Sequence, residues 1–155
     1  MHLDPTRGAA WVSAKREFHT RSSEETIAAG RQLTQDLTAG QMIILRGDLG
    51  AGKTTLVKGI AEGFEAARQE DVTSPTFTLV HEYRGQSVTL FHIDLYRIDT
   101  ERELATLGID DLRSEPGSIL LVEWGEKFDK IKTECDGEIS IDRTGENERR
   151  IVYRR

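Results

Sequence analysis

The stretch Gly47 to Thr54, GDLGAGKT, limits the possible folds of this chain more than any other, because it meets the pattern G-x-x-x-x-G-K-[ST] at every fixed position. That pattern works in one setting, with a buried strand ahead of it and a helix behind it. Met42, Ile43, Ile44 and Leu45 make a short apolar run suited to a strand covered on both faces. After Lys53, the residues Leu56, Val57, Ile60, Ala61 and Phe64 recur at helical spacing. In that setting Gly47, Asp48, Leu49, Gly50, Ala51 and Gly52 turn backbone N–H groups toward phosphate oxygens at a helix N-terminus. Lys53 brings a positive charge to the β and γ phosphates, and the Thr54 hydroxyl is suited to ligate Mg²⁺. The motif therefore predicts a nucleoside triphosphate site.

The remaining pattern predicts the elements around it. Ser22 and Glu25 match a capping box, and Ile27, Ala28, Leu33 and Leu37 continue a helix up to Gly40. Residues 76–83, TFTLVHEY, and 88–96, VTLFHIDLY, are rich in β-branched and aromatic types and flank the turn-like Arg84-Gly85-Gln86-Ser87, so they read as an antiparallel hairpin. Thr100 and Glu103 form a second capping box ahead of a short helix that ends before Gly108. Residues 118–123, SILLVE, read as a buried strand ending in a carboxylate, and residues 138–142 and 148–153 alternate around a turn as a closing hairpin. Residues 1–14 lack any period and contain Pro5 and Gly8, which predicts a flexible leader before a single P-loop domain over 15–155. The expected fold class is α/β, a P-loop NTPase-like three-layer domain with a mixed, mainly parallel central sheet and antiparallel hairpins.

Composition removes several classes of function. A hydrophobic content of 37% contains no apolar run near the roughly 20 residues of a membrane span, so no membrane role is expected. Cys135 stands alone and forms no internal disulfide, and the N-terminus has no secretory core, which together predict the cytoplasm. A net charge of −6 argues against a surface that grips a nucleic acid backbone unaided.

A P-loop enzyme needs a second acidic group for Mg²⁺, usually at the end of a strand beside the loop strand. Glu123 ends the purest apolar run and is the expected metal ligand. Asp94 ends the more mixed Leu90-Phe91-His92-Ile93 run and is left to orient the attacking water or to reach Mg²⁺ through its water shell. Capping of a nearby turn is the alternative for either carboxylate. The segment Val72 to Phe77 carries Ser74, Pro75 and Thr76, where a constrained backbone and clustered hydroxyls suit either a γ-phosphate sensor or a plain turn. His81 and His92 lack metal-ligand spacing and read as packing or surface residues, and Trp124 reads as a buried aromatic or a contact to the site.

Five stretches in order carry a resemblance: GDLGAGKTT at 47–55, TSPTFTLVHEY at 73–83, HIDLYRI at 92–98, ELATLGIDD at 103–111 and LVEWGEK at 121–127. Together they resemble the bacterial TsaE (YjeE) family, the ATPase component for making threonylcarbamoyladenosine in tRNAs that read codons beginning with adenine. The resemblance implies binding of ATP and Mg²⁺ and an indirect, complex-resetting role beside TsaB and TsaD partners, with tRNA met only through that complex. It also implies that Lys53 and Thr54 bind phosphate and metal, that Glu123 ligates Mg²⁺, and that Asp94 and Thr55 serve hydrolysis with Lys53. Thr55 thereby joins the nucleotide-binding set, and Ser74-Pro75-Thr76 becomes switch-like. Two other readings stay open, a small-molecule P-loop kinase and a nucleotide-gated assembly module whose hydrolysis is incidental.

Overall fold

A computed structural model describes residues 14–155, so the expected leader lies outside the described residues except for Ala14. The strands are β1 (Ala14–Thr20), β2 (Met42–Arg46), β3 (Val80–Arg84), β4 (Thr89–Asp94), β5 (Ser118–Glu123), β6 (Gly137–Arg143) and β7 (Arg149–Arg154). They form one sheet in the order β1-β7-β6-β2-β5-β4-β3. The four middle strands, β6, β2, β5 and β4, pair in parallel. β3 closes one edge antiparallel to β4, and β7 and β1 extend the other edge antiparallel to β6. The sheet is mixed as expected, but its parallel pairing is confined to the centre.

Alternation along the middle strands supplies two cores, because successive side chains leave a strand on opposite faces. Ile43 and Leu45 of β2, Leu90 of β4, and Ile119 and Leu121 of β5 pack with α1 (Ser23–Leu33) and α2 (Lys53–Gly63) through Ala29, Leu33, Leu56, Val57 and Ile60. Met42, Ile44, Phe91, Ile93, Leu120 and Val122 face the other way, toward Leu104 of α3 (Glu101–Ala105), Ile109 of α4 (Ile109–Ser114) and Ile131 of α5 (Asp129–Glu134). Helices on both faces explain why β2, β4 and β5 read as near-continuous apolar runs.

Helices α1 and α2 touch backbone to backbone. A side chain at Gly59 would put its Cβ 2.0 Å from the Ile27 carbonyl oxygen, and one at Gly30 would put it 2.4 Å from that of Leu56. Cys135 is buried, and that burial, followed by the Asp136 charge, pushes its thiol up to about 11.

Five of the strands and helices depart from the residue pattern. Residues 76–79 form a turn rather than the start of a strand: the Leu79 N–H donates to the Pro75 carbonyl at 2.7 Å, Leu79 sits at φ 71°, and pairing begins only at Val80. α1 stops at Leu33, because Thr34, Gln35 and Asp36 donate to carbonyls three residues back, and the Thr34 hydroxyl bonds the Arg31 carbonyl at 2.6 Å. Leu37 is still buried, but in the irregular segment beyond the turn at residues 34–36. β1, α4 and α5 have no counterpart in the predicted elements. β1 is an edge strand whose Phe18 packs inward while Arg16 lies over its ring and pairs with Asp36 at 3.2 Å.

Close backbone contact between α1 and α2 makes Gly59 intolerant of any side chain. Gly59→Ala is expected to destabilise the chain by about 2–3 kcal/mol, lowering Tm by about 5–10 °C in thermal unfolding. An unchanged Tm would contradict the packing.

Candidate functional site

The register of the parallel strands decides where the polar residues meet. Leu45, the last buried residue before the glycine-rich loop, lies beside Glu123, and Glu123 lies beside Asp94. The loop and both carboxylates therefore share the carboxyl edge of the sheet, where open α/β sheets place their ligands. Strand alternation also puts them on one face. Glu123 follows Leu121 by two residues and Asp94 follows Leu90 by four, and both leucines belong to the core beneath α1 and α2.

The loop from Gly47 to Gly52 is bent by left-handed backbone at Gly50 (φ 78°) and Gly52 (φ 109°), where a side chain would be strained. Asp48, Leu49 and Gly50 are exposed, while the Ala51 N–H turns inward to the Asp48 carbonyl at 3.0 Å. Gly52 then starts α2 with no side-chain cap and no acid in the first turn. This contrasts with α1, which is capped by Ser22 and carries Glu24 and Glu25 in its first turn. The start of α2, with Thr54 and Thr55 half-buried on its first turn, thus keeps N–H groups and a positive dipole end for an external anion.

Lys53 is buried, and its Nζ donates to the Gly47 carbonyl at 2.5 Å, lies 3.3 Å from Glu123 Oε1 and sits 5.1 Å above the Trp124 ring. Burial is the largest influence on the Glu123 carboxyl and opposes its ionisation. The hydrogen bond and charge of His92, with the charge of Lys53, together outweigh it and hold the group below the usual carboxylate range. His92 is fully buried and donates from Nε2 to Glu123 Oε2, while its Nδ1 has no hydrogen-bond partner among the described residues. Each Glu123 oxygen thus has its own partner. The expectation of a packing histidine missed this contact, although His92 stands two residues before Asp94 on the same face of the strand.

Asp94 is held differently. Its Oδ2 accepts from the Thr76 hydroxyl at 3.0 Å and its Oδ1 from the Tyr96 N–H at 2.9 Å. Ser74 Oγ lies 2.8 Å from Thr76 Oγ1, and Pro75 is buried between them, so the Ser74-Pro75-Thr76 segment meets the carboxylate directly. Apolar purity does not separate the two acids, since β4 and β5 are buried along their whole lengths. Contact with Lys53 separates them: Glu123 has it, and Asp94 faces the hydroxyl segment.

Lysines tie the surrounding loops to this frame. Lys58 of α2 donates to the Gln69 and Val72 carbonyls at 2.7 and 3.1 Å, linking α2 to the chain that leads into Ser74. Lys127 donates to the carbonyls of Leu95, Tyr96 and Ile98, which fixes the turn after Asp94 against the turn after Glu123. Trp124, at φ 62°, is held in a strained conformation that brings its ring to Lys53 and within 5.3 Å of Tyr96. Among the described residues no cluster of three or more His, Cys, Asp or Glu side chains is arranged to hold a metal. Mg²⁺ held by one or two protein groups and by phosphates needs no such cluster, and the Thr54 hydroxyl with the ionised Glu123 carboxylate fits that donor set.

Comparison with known proteins identifies the family. The family model described as "Threonylcarbamoyl adenosine biosynthesis protein TsaE" matches residues 20–151. The tRNA threonylcarbamoyladenosine biosynthesis protein TsaE of Bacillus subtilis is 38% identical over 137 residues, covering 88% of this chain and 84% of that protein. The protein of the same name from Aquifex aeolicus is 38% identical over 90% of this chain and 97% of its own length, and that from Nostoc sp. is 43% identical over 68% and 65%. The crystal structure of Bacillus subtilis YdiB superposes with a TM-score of 0.70 at 32% identity, over 92% of this chain and 86% of that one. With the motif residues gathered at one sheet edge and the match running through nearly all the described residues, this chain belongs to the TsaE family of tRNA threonylcarbamoyladenosine biosynthesis.

Proposed function

We propose that this chain is a P-loop ATPase that binds ATP with Mg²⁺ and hydrolyses it in support of tRNA threonylcarbamoylation, acting beside TsaB and TsaD type partners. One observation carries the reading above the others. The uncapped, acid-free start of α2 lies directly behind a left-handed glycine loop, with a buried lysine beside a buried carboxylate. Such an opening suits a phosphate chain, because it supplies oriented N–H donors, a helix dipole and a charge without further rearrangement of the backbone.

In this reading the residues Gly47 to Thr55 bind the phosphates, and Lys53 exchanges the Gly47 carbonyl for β and γ phosphate oxygens. Thr54 and Glu123 hold the metal, and His92 keeps Glu123 in a single orientation. When bound, Mg²⁺ neutralises charge across the β and γ phosphates. Asp94 orients the attacking water and is itself oriented by the Tyr96 N–H and by Thr76 of the switch-like segment. Of the arginines after Glu123, Arg143 lies on β6 and Arg149, Arg150 and Arg154 lie on β7, so they belong to a sheet hairpin and not to a helical lid of the kind a small-molecule kinase closes over its acceptor.

Removal of the two acids should separate binding from turnover. Asp94→Ala is expected to keep ATP affinity within about threefold and to lower kcat by about 100-fold, whereas Glu123→Gln should raise the Mg²⁺ needed for half-maximal turnover by about tenfold or more. Phosphate-release kinetics across a Mg²⁺ series read both, and the reverse pattern would exchange the two roles. Turnover of the isolated chain should also be slow and should rise at least about tenfold when TsaB and TsaD are added, since charge stabilisation in this class is often completed by a partner. Equal rates with and without those proteins would count against the partnership.

A further inference from the structure

The Ser74-Pro75-Thr76 segment reaches Asp94 through the Thr76 hydroxyl, so that contact depends on how the two ends of the segment are fixed. The far end is fixed by the strand that carries Asp94, whose N–H donates to the Leu79 carbonyl at 2.9 Å. The near end is fixed by α2, the helix that begins with Lys53 and Thr54. Lys58 Nζ donates to the Gln69 carbonyl at 2.7 Å and to the Val72 carbonyl at 3.1 Å, which lie 11 and 14 residues further along the chain. Glu62, one helical turn beyond Lys58, accepts from the Gln69 side-chain amide at 2.9 Å. Two side chains on one face of α2 therefore grip the 3-10 turn Gln69–Asp71 and the residue that follows it.

Lys58 is half-buried and follows Thr54 by one turn on the same face of the helix. Its bonds to the two carbonyls are charge-assisted, and they join the helix to the chain just ahead of Thr73. The fold of that chain has other supports, since the Val72 side chain is buried in the core beneath α1 and α2 and the Tyr83 hydroxyl accepts from the Thr73 N–H at 3.2 Å. What Lys58 adds is the placement of the Val72 carbonyl against α2. Beyond that carbonyl the route to Thr76 is short and passes through Pro75, which is buried and has a fixed φ. Such a stretch transmits a shift of Val72 to the Thr76 hydroxyl rather than absorbing it.

We infer that Lys58 is a positioning residue for turnover: by holding the Val72 carbonyl to α2, it places the Thr76 hydroxyl, and with it Asp94, relative to the phosphates at the start of the same helix. The inference rests on the ATP-site reading proposed above and adds to it a residue outside the phosphate loop. Because Lys58 acts through Thr76 on Asp94, its loss lowers kcat and leaves nucleotide affinity in place.

A double-mutant cycle on ATP hydrolysis, with calorimetric titration of ADP and Mg²⁺ into each protein, tests it in the wild-type chain, Lys58→Met, Thr76→Val and the double variant. Lys58→Met is expected to keep ADP affinity within about twofold and to lower kcat about tenfold. Thr76→Val should lower kcat at least as far. Adding Lys58→Met to Thr76→Val should then cost less than about twofold more, because the hydroxyl that Lys58 places is already gone. A merely structural lysine would give losses that multiply, so a further tenfold fall in the double variant would overturn the inference. An unchanged kcat in Lys58→Met or in Thr76→Val, or a loss of ADP affinity matching the loss of kcat, would overturn it as well. Lys58→Gln, read in the same cycle with the same expected outcomes, carries the test if Lys58→Met does not fold. Failure of the wild-type chain to bind ADP or to hydrolyse ATP would overturn the ATP-site reading together with this one, whereas normal wild-type turnover indifferent to Lys58 overturns this one alone.

Discussion

The hydrogen-bonded register of β2, β5 and β4 is the constraint on which the rest of this molecule depends. Parallel pairing sets Leu45 beside Glu123 and Glu123 beside Asp94, so three segments distant in sequence end at one level. Because side chains alternate along a strand, a slip of one residue in either pairing would send a carboxylate to the opposite face, among Phe91, Ile93 and Val122. The two apolar cores oppose such a slip, since each would be forced to bury the other's polar residues. Fold and candidate site are thus specified by the same pattern.

Within that frame the site keeps charge in places that would be costly without partners. Lys53, His92, Asp94 and Glu123 are all buried at the sheet edge. Glu123 is compensated by Lys53 and His92, and Asp94 by a hydroxyl and a backbone N–H. The start of α2 is instead left uncompensated, without a cap or an acid. Polar groups here are pre-set by the fold, an arrangement that suits the proposed phosphoryl chemistry, since electrostatic stabilisation works best with donors already in place.

Much of this was legible in the residues, for identifiable reasons. The loop, the start of α2 at Lys53 and the ends of β4 and β5 at Asp94 and Glu123 follow from local signals: a fixed motif, helical spacing, and apolar runs that end in a carboxylate. What was not legible depends on partners far away in sequence. The pairing of His92 with Glu123 exists only once β4 lies beside β5, and the approach of Arg149 to Ala51 exists only once the terminal hairpin packs on the loop. Residues 76–79 have strand-like composition, yet Pro75 and the contact of Thr76 with Asp94 hold them in a turn. β1 carries too few inward apolar residues to announce itself, as an edge strand needs only one packed face.

A crystal structure of the chain with a non-hydrolysable ATP analogue and Mg²⁺ tests the central claim most directly. The triphosphate is expected along residues 47–55, with Lys53 Nζ moved from the Gly47 carbonyl to phosphate oxygens and with Thr54 and Glu123 on the metal side. A triphosphate bound elsewhere, with Lys53 still held between the Gly47 carbonyl and Glu123, would contradict the account.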